Sequence, residues 1–552
     1  MLEILLISVL SSFFLICSGH ILNLKDKTIC KFDFYSKQII YGLIFISFVA
    51  LLLNFFIPLS KIINSLVFII ILIISLVNKK LRKSIANKSI LSAILIISSI
   101  SFLLLYKNKV YQPDAGLYHL PYIGLINSEK INFGIANIHH RFGFITIIQY
   151  TSAIFNNYLF SENGISLPLA ILASAVITNF YSNIITYIKE KNISNIHFIF
   201  LLCVIIFIAI KMNDYRNYGN DAPGHFIFFF LISEILKEKF LEINFNKLLI
   251  LSIFIFLNKI SFILILIIPL TWIFLYRKLN INIITIFSFS FLFLWLVKNI
   301  IVSGCIIYPF ENTCLTKLKW STTNNQTINT KEAYIEIESW SKGYPDQKKY
   351  TQEKFIEKFN WLKTWSNKNF IYILNKFFPF ICILIFIYLF LKKNNNESSK
   401  LKYPSRKLYF ILFFSIISLT IWFLKAPQYR FGYSSIILFI TIIYIQISKN
   451  YFVYTDKNIK FFKIIFLSSF LFLIGKQLPR FINIQENQIN KVWPHIYTEY
   501  EYKVFNFGKM LIYNSENCGY TKFLCTHYND LDNKIEITEV FNYRVISNIQ
   551  QK

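Results

Sequence analysis

The stretch at 195–212 reads NIHFIFLLCVIIFIAIKM and contains one permanent charge, Lys211. A helix needs about 20 mostly apolar residues to cross the hydrocarbon core of a bilayer, so this stretch is long enough to span one. Inside lipid the backbone finds no water, and a helix satisfies every N–H and C=O within the segment itself. The stretch therefore predicts a transmembrane α-helix.

Comparable apolar runs recur on both sides of it, and together they predict about fourteen spans. The expected spans lie near 2–22, 39–57, 62–78, 89–106, 165–188, 195–212, 223–237, 247–258, 260–276, 282–302, 370–391, 407–424, 431–448 and 460–475. The N-terminal run has no basic n-region and no small-residue cleavage site, so we interpret it as a span and not as a removed signal peptide. The run at 247–258 is short and is interrupted by Lys259, which favours a segment that lines a cavity over one that faces lipid. The predicted fold is an all-α polytopic membrane protein.

The composition agrees with this class. The 552-residue chain is 55% hydrophobic and only 16% charged, whereas a soluble domain carries about a quarter charged residues. This balance excludes a soluble globular enzyme, a disordered chain and a disulfide-dense secreted domain. The formal net charge is +28. We attribute it to topology and not to nucleic-acid binding, because the basic residues lie in short loops between apolar runs.

Basic residues are concentrated in some of these loops, most densely at 79–88. By the positive-inside rule such loops face the cytoplasm, with a tally of about 26 basic residues inside against about 10 outside. This orientation requires that the apolar stretch 145–160 does not cross, and we expect a helix lying on the outer surface there. The expected location is the inner (cytoplasmic) membrane. The polar segments that would face outward lie near 107–144, 213–222, 303–369 and 476–552.

The chain is expected to divide into five regions. They are extra N-terminal helices at 1–88, a membrane core at 89–302 that includes the 107–144 loop, a Trp-rich segment at 303–369, C-terminal helices at 370–475 and a tail at 476–552. We expect the Trp-rich segment to form a helical lid, and the alternating pattern from Lys534 to Tyr543 suggests strands in the tail. Two close cysteine pairs are compatible with disulfides in an oxidising compartment or with free thiols. The pairs are Cys305 with Cys314 and Cys518 with Cys525.

The 107–144 loop carries a carboxylate and a histidine just beyond a span. It reads YQPDAGLYHLP over 111–121, which contains Asp114 and His119. A carboxylate at a membrane-embedded mouth is costly and tends to be functional, whereas helix capping by Asp114 is the alternative. If a helix begins at Asp114, His119 lies five residues on and points in a different direction around the helix axis. The two side chains would then flank a site and not chelate one ion.

The same loop ends in a basic cluster. NIHHRFGF over 137–144 brings together His139, His140 and Arg141. Three interpretations stay open for this cluster: a metal site, a pocket for a phosphate or another polar group, and an interfacial anchor with Arg and Phe at headgroup level.

A second carboxylate, Asp221, stands at the start of a later span, as Asp114 does at its own loop. Two carboxylates on one outer face suit a divalent cation, or they divide the roles of general base and acceptor-orienting group. The alternative for Asp221 is N-terminal capping of its helix, which the following Pro223 also favours.

Cationic side chains are expected at the outer ends of two spans. APQYRFG over 426–432 places Tyr429 and Arg430 at the outer end of a span, and Lys259 is a second cation near the same side. A guanidinium fork suits a phosphate or pyrophosphate. An interfacial anchor is the alternative for Arg430, and snorkelling is the alternative for Lys259.

Taken together, the motifs PDAGLYHLP, HHRFGF and APQYRFG resemble those of large bacterial membrane proteins in the GT-C superfamily of integral-membrane glycosyltransferases. The resemblance covers about 89–475, and Asp114 matches the first-loop Asp that is the hallmark of the superfamily. This chain has a lone Asp there, whereas adjacent acidic residues are common in the superfamily. No nucleotide-binding Gly-rich motif occurs, so energy for any reaction must come with the substrate.

The resemblance implies an enzyme that transfers a sugar, with inversion, from a polyprenyl-phosphate donor to an acceptor outside the cytoplasm: a lipid-linked glycan, lipid A, a cell-surface polymer or a protein. The implied catalytic residues are Asp114, Asp221 and His119; the implied donor-phosphate residues are Arg430, Lys259, Arg141 and Tyr429; His139 and His140 would belong to the pocket. No cofactor is certain, and a divalent metal would be held by Asp114 and Asp221. The alternatives are a transporter or flippase of lipid-linked or anionic solutes, and a glycan polymerase or ligase with a diphospholipid donor.

Overall fold

The fold is described from a computed structural model, which is 74% helical. It describes residues 1–22, 24, 28–77, 82, 88–108, 114–212, 221–238, 244–276, 281–345, 351–394, 405–482, 492–494, 502–507, 510–515, 518–521, 523–529, 531 and 534–549. Most of the expected outer segment 213–222 and of the basic loop 79–88 lies outside the described residues.

The described α-helices lie between residues 2 and 482. They are α1 (Leu2–Leu22), α2 (Lys31–Asn54), α3 (Lys61–Val77), α4 (Lys88–Leu105), α5 (Leu120–Ser128), α6 (Ile147–Phe155), α7 (Leu167–Lys189), α8 (Ile196–Ile210), α9 (Asp221–Lys237), α10 (Phe245–Asn258), α11 (Ile267–Tyr276), α12 (Ile283–Ser303), α13 (Thr330–Ser341), α14 (Gln352–Ile356), α15 (Leu362–Trp365), α16 (Ile371–Asn394), α17 (Ser405–Lys425), α18 (Tyr429–Ser448), α19 (Asp456–Gly475) and α20 (Pro479–Ile482).

Eight helices within the described residues are long and apolar enough to cross a membrane, counted with the helical turns that adjoin them. They are Leu2–Leu22, Lys31–Asn54, Glu162–Lys189, Ile283–Ser303, Leu362–Asn394, Arg406–Lys425, Tyr429–Tyr451 and Asp456–Ile482. Five shorter apolar helices accompany them: Lys61–Val77, Ser89–Leu105, Ile196–Ile210, Phe245–Asn258 and Ile260–Phe274. The chain is therefore a helical membrane protein, and the count of fourteen spans stays a prediction.

The N-terminal helices pack into the body of the protein. Gly19 of α1 faces the backbone of Gln38, and Gly42 of α2 faces that of Leu15, so closely that a side chain at either glycine would clash. Glycine permits this close approach of helix backbones inside a membrane. α7 packs against α2 and α4, and its apolar stretch is enclosed by protein. These contacts form the core on which the site is built.

The structure corrects the prediction of a surface helix at 145–160. The helix there, α6, is only nine residues long, and all nine are buried. It packs against α2, α5 and α7, and a capping box between Thr146 and Gln149 begins it. Nine residues are too few to span a bilayer. The prediction of a surface helix was wrong because the polar side chains of this stretch have buried partners within the protein.

The described part of the tail is built from five short strands. They are β1 (Lys503–Phe507), β2 (Met510–Asn514), β3 (Leu524–Thr526), β4 (Ile535–Val540) and β5 (Tyr543–Asn548). β1 and β2 pair antiparallel and β2 and β3 parallel, while β4 and β5 form an antiparallel hairpin. The strand pattern from Lys534 to Tyr543 is confirmed by this hairpin. Both cysteine pairs are disulfides, one in the Trp-rich segment and one in the tail.

A group of charged side chains is buried where α2 and α10 begin and α9 ends. The Nζ atoms of Lys37 and Lys247 lie 2.7 and 2.9 Å from Oε2 of Glu234. We call this group the buried ion network; its members are Asp33, Lys37, Glu234, Lys237, Glu238 and Lys247. Its charges are paired with one another, as burial requires.

Candidate active site

A cavity of about 720 Å³ lies where α9 begins and α10 ends, away from the buried ion network. It is beside α13, α17, α18 and the 107–144 loop. Residues from distant parts of the chain converge there. Six of the side chains that the sequence singled out line the cavity: Asp114, His119, Arg141, Asp221, Lys259 and Arg430.

Lys259 lies at a break in the helical path. α10 ends at Asn258, Lys259 has extended backbone, and a tight helical turn over Ile260–Leu266 leads into α11. Both sides of this break line the cavity, so the prediction that the interrupted segment lines a cavity is confirmed. The Lys259 ammonium lies 3.6 Å from the centre of the Phe431 ring, a cation–π contact.

Asp221, the first residue of α9, lies between two cations. One carboxylate oxygen contacts the Lys259 ammonium, and the other lies 3.7 Å from Nε of Arg430. The three side chains are 18%, 19% and 22% exposed, so the cluster is accessible from the cavity. The Arg430 guanidinium also faces Trp340 at 5.1 Å.

The sequence analysis missed a histidine that positions this cluster. Nε2 of His225 lies 2.7 Å from the backbone oxygen of Arg430, and Nδ1 contacts the hydroxyl of Ser434. Because a carbonyl only accepts, Nε2 carries the proton and Nδ1 accepts from Ser434. These two bonds attach α9 to α18. Since His225 follows Asp221 by one helical turn, that spacing was the signal available in the sequence.

The surroundings of the Asp114 carboxylate differ from those of Asp221. It stands directly before a π-helical turn over Ala115–His119, but its side chain makes no capping hydrogen bond. Within the described part of the chain, no hydrogen bond or ion pair involves its carboxylate, which lines the cavity. Capping therefore does not account for Asp114, and its carboxylate is accessible to a ligand.

Gln149 determines which nitrogen of His119 carries the proton. Oε1 of Gln149 accepts from the backbone N–H of Thr146 at 2.9 Å, so its amide nitrogen donates to Nδ1 of His119 at 2.8 Å. The proton of neutral His119 is then on Nε2. Burial, together with the positive charges of nearby Arg141 and Arg430, lowers the pKa of His119 to about 3. His119 is thus a neutral hydrogen-bond donor and a poor general base.

Arg141 and the two histidines before it connect the cavity to the Trp-rich segment and the tail. Its Nη2 lies 3.2 Å from Oε1 of Glu336. His140 contacts the Tyr528 hydroxyl, and the His139 ring packs 4.7 Å from the His527 ring. Burial lowers the pKa of His139 and of His140 well below the usual value. Neither histidine is among the residues that line the cavity; they lie behind Arg141.

The remaining predicted residue, Tyr429, packs its ring 5.0 Å from that of Tyr372 and is not among the described lining residues. The Trp-rich segment contributes others that the sequence analysis did not single out for chemistry. α13 begins at a capping box formed by Asn329 and Glu332. Its residues Tyr334, Ile337, Glu338 and Trp340 line the cavity.

The walls of the cavity differ in polarity. The charged residues lie at helix ends, whereas Phe228, Leu257, Phe414 and Ile421 form apolar wall. Phe414 is eleven residues before Lys425 on α17, which corresponds to about 16 Å along the helix axis. The cavity therefore has one charged end and an apolar wall that extends from it toward the middle of the helices.

No group of three or more His, Cys, Asp and Glu side chains that could hold a metal ion occurs among the described residues. Of the two carboxylates suggested as metal ligands, Asp221 already faces Lys259 and Arg430, and Asp114 is the one with an accessible carboxylate. The residues present fit an anion at the two cations better than a metal ion held by both carboxylates.

These features define a helical membrane protein with an amphiphilic cavity that brings together carboxylates and cations. The chain belongs to the family described as a domain of unknown function (DUF8201), whose model matches residues 1–437. No curated protein and no solved structure matches the chain. The matched part contains every described residue that lines the cavity, the last of which is Ser435.

Proposed function

We propose that the protein is a GT-C-type membrane glycosyltransferase. It would transfer a sugar from a polyprenyl-phosphate donor to an extracytoplasmic glycan, lipid or protein acceptor. The observation that carries the proposal is the convergence of Asp114, Asp221, Lys259 and Arg430 on one cavity. A carboxylate that has no hydrogen-bond or ion-pair partner among the described residues, beside two cations, meets the minimum that such a transfer needs.

The shape and polarity of the cavity support a lipid-linked donor. A polyprenyl phosphate has a charged head and a long apolar chain, and the cavity has cations at one end and an apolar wall beyond them. A soluble nucleotide sugar would leave this apolar wall uncovered. The positive-inside tally would put the charged end on the extracytoplasmic side, with about fourteen spans in the inner (cytoplasmic) membrane.

The proposed reaction follows from the state of each side chain. Asp114 takes the proton of an acceptor hydroxyl, whose oxygen attacks the anomeric carbon. The bond from that carbon to the phosphate oxygen breaks, the configuration inverts, and the polyprenyl phosphate leaves with its negative charge beside Lys259 and Arg430. His119, a neutral donor, orients the acceptor. A positioned general base contributes about 10²–10⁴-fold in rate.

Two alternatives stay in view. A transporter or flippase of lipid-linked or anionic solutes would also need cations in an amphiphilic cavity, and it would use the Asp114 carboxylate as a proton carrier and not as a base toward an acceptor. A glycan polymerase or ligase with a diphospholipid donor would use the same groups with one more phosphate. Donor specificity separates it from the main proposal.

The test is a transfer assay in lipid vesicles with radiolabelled polyprenyl-phosphate sugars, with and without EDTA. We expect product with the wild type and a loss of about 10²–10⁴-fold with Asp114→Asn, because the amide cannot accept the proton. Exposed Asp456, at the start of α19 and away from the cavity, supplies the matched control Asp456→Asn, which should keep full activity. Wild-type transfer by Asp114→Asn would contradict the proposal.

A further inference from the structure

Asp221 occupies the place that the donor phosphate would need. Its two carboxylate oxygens face Lys259 and Arg430, the same cations that would receive the phosphate. No described backbone N–H donates to its carboxylate, so the first-turn position of Asp221 does not make it a helix cap. Its contacts are with side chains that line the cavity.

The Asp221 carboxylate competes with a phosphate for the two cations of this cluster. Lys259 and Arg430 together carry two positive charges, and Asp221 cancels one of them. The sugar-linked donor is a phosphodiester with one negative charge, whereas the departing polyprenyl phosphate is a monoester with about −1.5 to −2 charges at neutral pH. Arg141 does not restore the balance because it pairs with Glu336 at 3.2 Å. The phosphate would therefore meet the Asp221 carboxylate at close range, and like charges at that distance repel, most strongly for the monoester product.

We propose that Asp221 is a placeholder for the donor phosphate and not a catalytic base. In the empty protein its carboxylate holds Lys259 and Arg430 in position. When a phosphate enters, Asp221 yields at least one of these cations to it. The competition weakens binding of the more highly charged product polyprenyl phosphate more than binding of the singly charged donor, so it favours product release. This inference rests on the proposed function, since the ligand is the phosphate of the proposed donor.

Binding of a short isoprenyl phosphate tests the inference without turnover. Purified wild type, Asp221→Asn and Asp114→Asn would be titrated in detergent with farnesyl phosphate, and in parallel with uncharged farnesol. We expect Asp221→Asn to bind farnesyl phosphate about tenfold more tightly than the wild type, because the competing charge is gone. Farnesol should bind both proteins equally. Asp114→Asn, which removes a charge from the same cavity without releasing a cation, should change binding by less than about threefold.

Equal or weaker binding of farnesyl phosphate by Asp221→Asn would overturn the inference. Should that variant fail to fold, Asp221→Ser removes the same charge with a smaller side chain and should tighten binding in the same way. If the wild type binds farnesyl phosphate no better than farnesol, the anion site and the inference both fail. If Asp221→Asn binds more tightly but no donor supports sugar transfer, the placeholder stands and the transferase proposal fails.

Discussion

The two ends of α9 carry two clusters of acidic and basic side chains, one buried and the other accessible from the cavity. At its last turn, Glu234 belongs to the buried ion network, whose ion-paired side chains are at most 6% exposed. At its first residue, Asp221 belongs to the cavity cluster, which consists of Asp114, Asp221, Lys259 and Arg430. The ion-paired members of that cluster are 18% to 22% exposed, and Asp114 has no partner among the described residues.

The comparison separates charges that hold helices together from charges that can meet a ligand. In the buried ion network, Lys37 and Lys247 both pair with Glu234, and neither lysine is among the residues that line the 720 Å³ cavity. In the cavity cluster, one carboxylate is accessible and two cations are held by a carboxylate that can be displaced. Charge within the membrane region alone therefore does not indicate a ligand-binding site. A charged side chain that is accessible from a cavity does.

Glu234→Gln should have the largest effect on stability. It would leave Lys37 and Lys247 facing a neutral amide, and removing one partner of a buried pair costs about 3–5 kcal/mol of unfolding free energy. Thermal unfolding in detergent measures the loss. The exposed Glu190 provides a matched control, and Glu190→Gln should change the unfolding free energy by less than about 0.5 kcal/mol. Equal stability of the two variants would break the comparison from the side of the network.

Arg430→Gln should affect turnover and not folding. Removing a positive charge that faces the leaving phosphate lowers the transfer rate by about 10²–10³-fold. The neutral side chain leaves Asp221 paired with Lys259. The transfer assay and a thermal unfolding curve on the same preparation distinguish the two effects. Arg406→Gln, an exposed arginine near the other end of α17, is the control. A variant of Arg430 with normal transfer and reduced stability would place this residue with the structural charges.

Acidification should produce a smaller effect through the histidines behind Arg141. Burial is the main cause that lowers the pKa of His139, His140 and His527, and Arg141 adds to it. The unfolded chain therefore binds more protons than the folded protein below about pH 6.5, and stability falls as pH drops through that range. The slope is about 1.4 kcal/mol per pH unit for each such histidine.

The groups that face these histidines include Arg141, Glu336 and Tyr528. Thermal unfolding at pH 7.5 and pH 5.5 measures the effect, and His527→Gln should make the pH dependence shallower. An unfolding temperature that does not change between these pH values would show that the histidines are not buried in their neutral form.

Several features could be predicted from the sequence because they depend on local pattern. Apolar runs identify membrane helices, since length and composition decide insertion. The interruption at Lys259 predicted a cavity-lining segment for the same reason: an extended residue in a span needs protein or water around it. Alternation from Lys534 to Tyr543 identified the hairpin of the tail.

Other features depend on which distant residues meet, and a single sequence does not contain that information. The interaction of Asp221 with both Lys259 and Arg430 requires three helix ends to converge. α6 was misplaced because its apolar side chains fit a membrane surface as well as a protein interior, and the contact of Gln149 with His119 is visible only in the fold. The pairing of Arg141 with Glu336 likewise joins two segments far apart in the chain.

The most direct test of the central claim measures turnover and unfolding temperature for Asp114→Asn and Glu234→Gln side by side in one lipid and detergent system. The account predicts that Asp114→Asn loses transfer at an unchanged unfolding temperature, and that Glu234→Gln unfolds at a lower temperature while its folded fraction retains transfer. The reverse pattern, with activity lost at Glu234 and stability lost at Asp114, would contradict it.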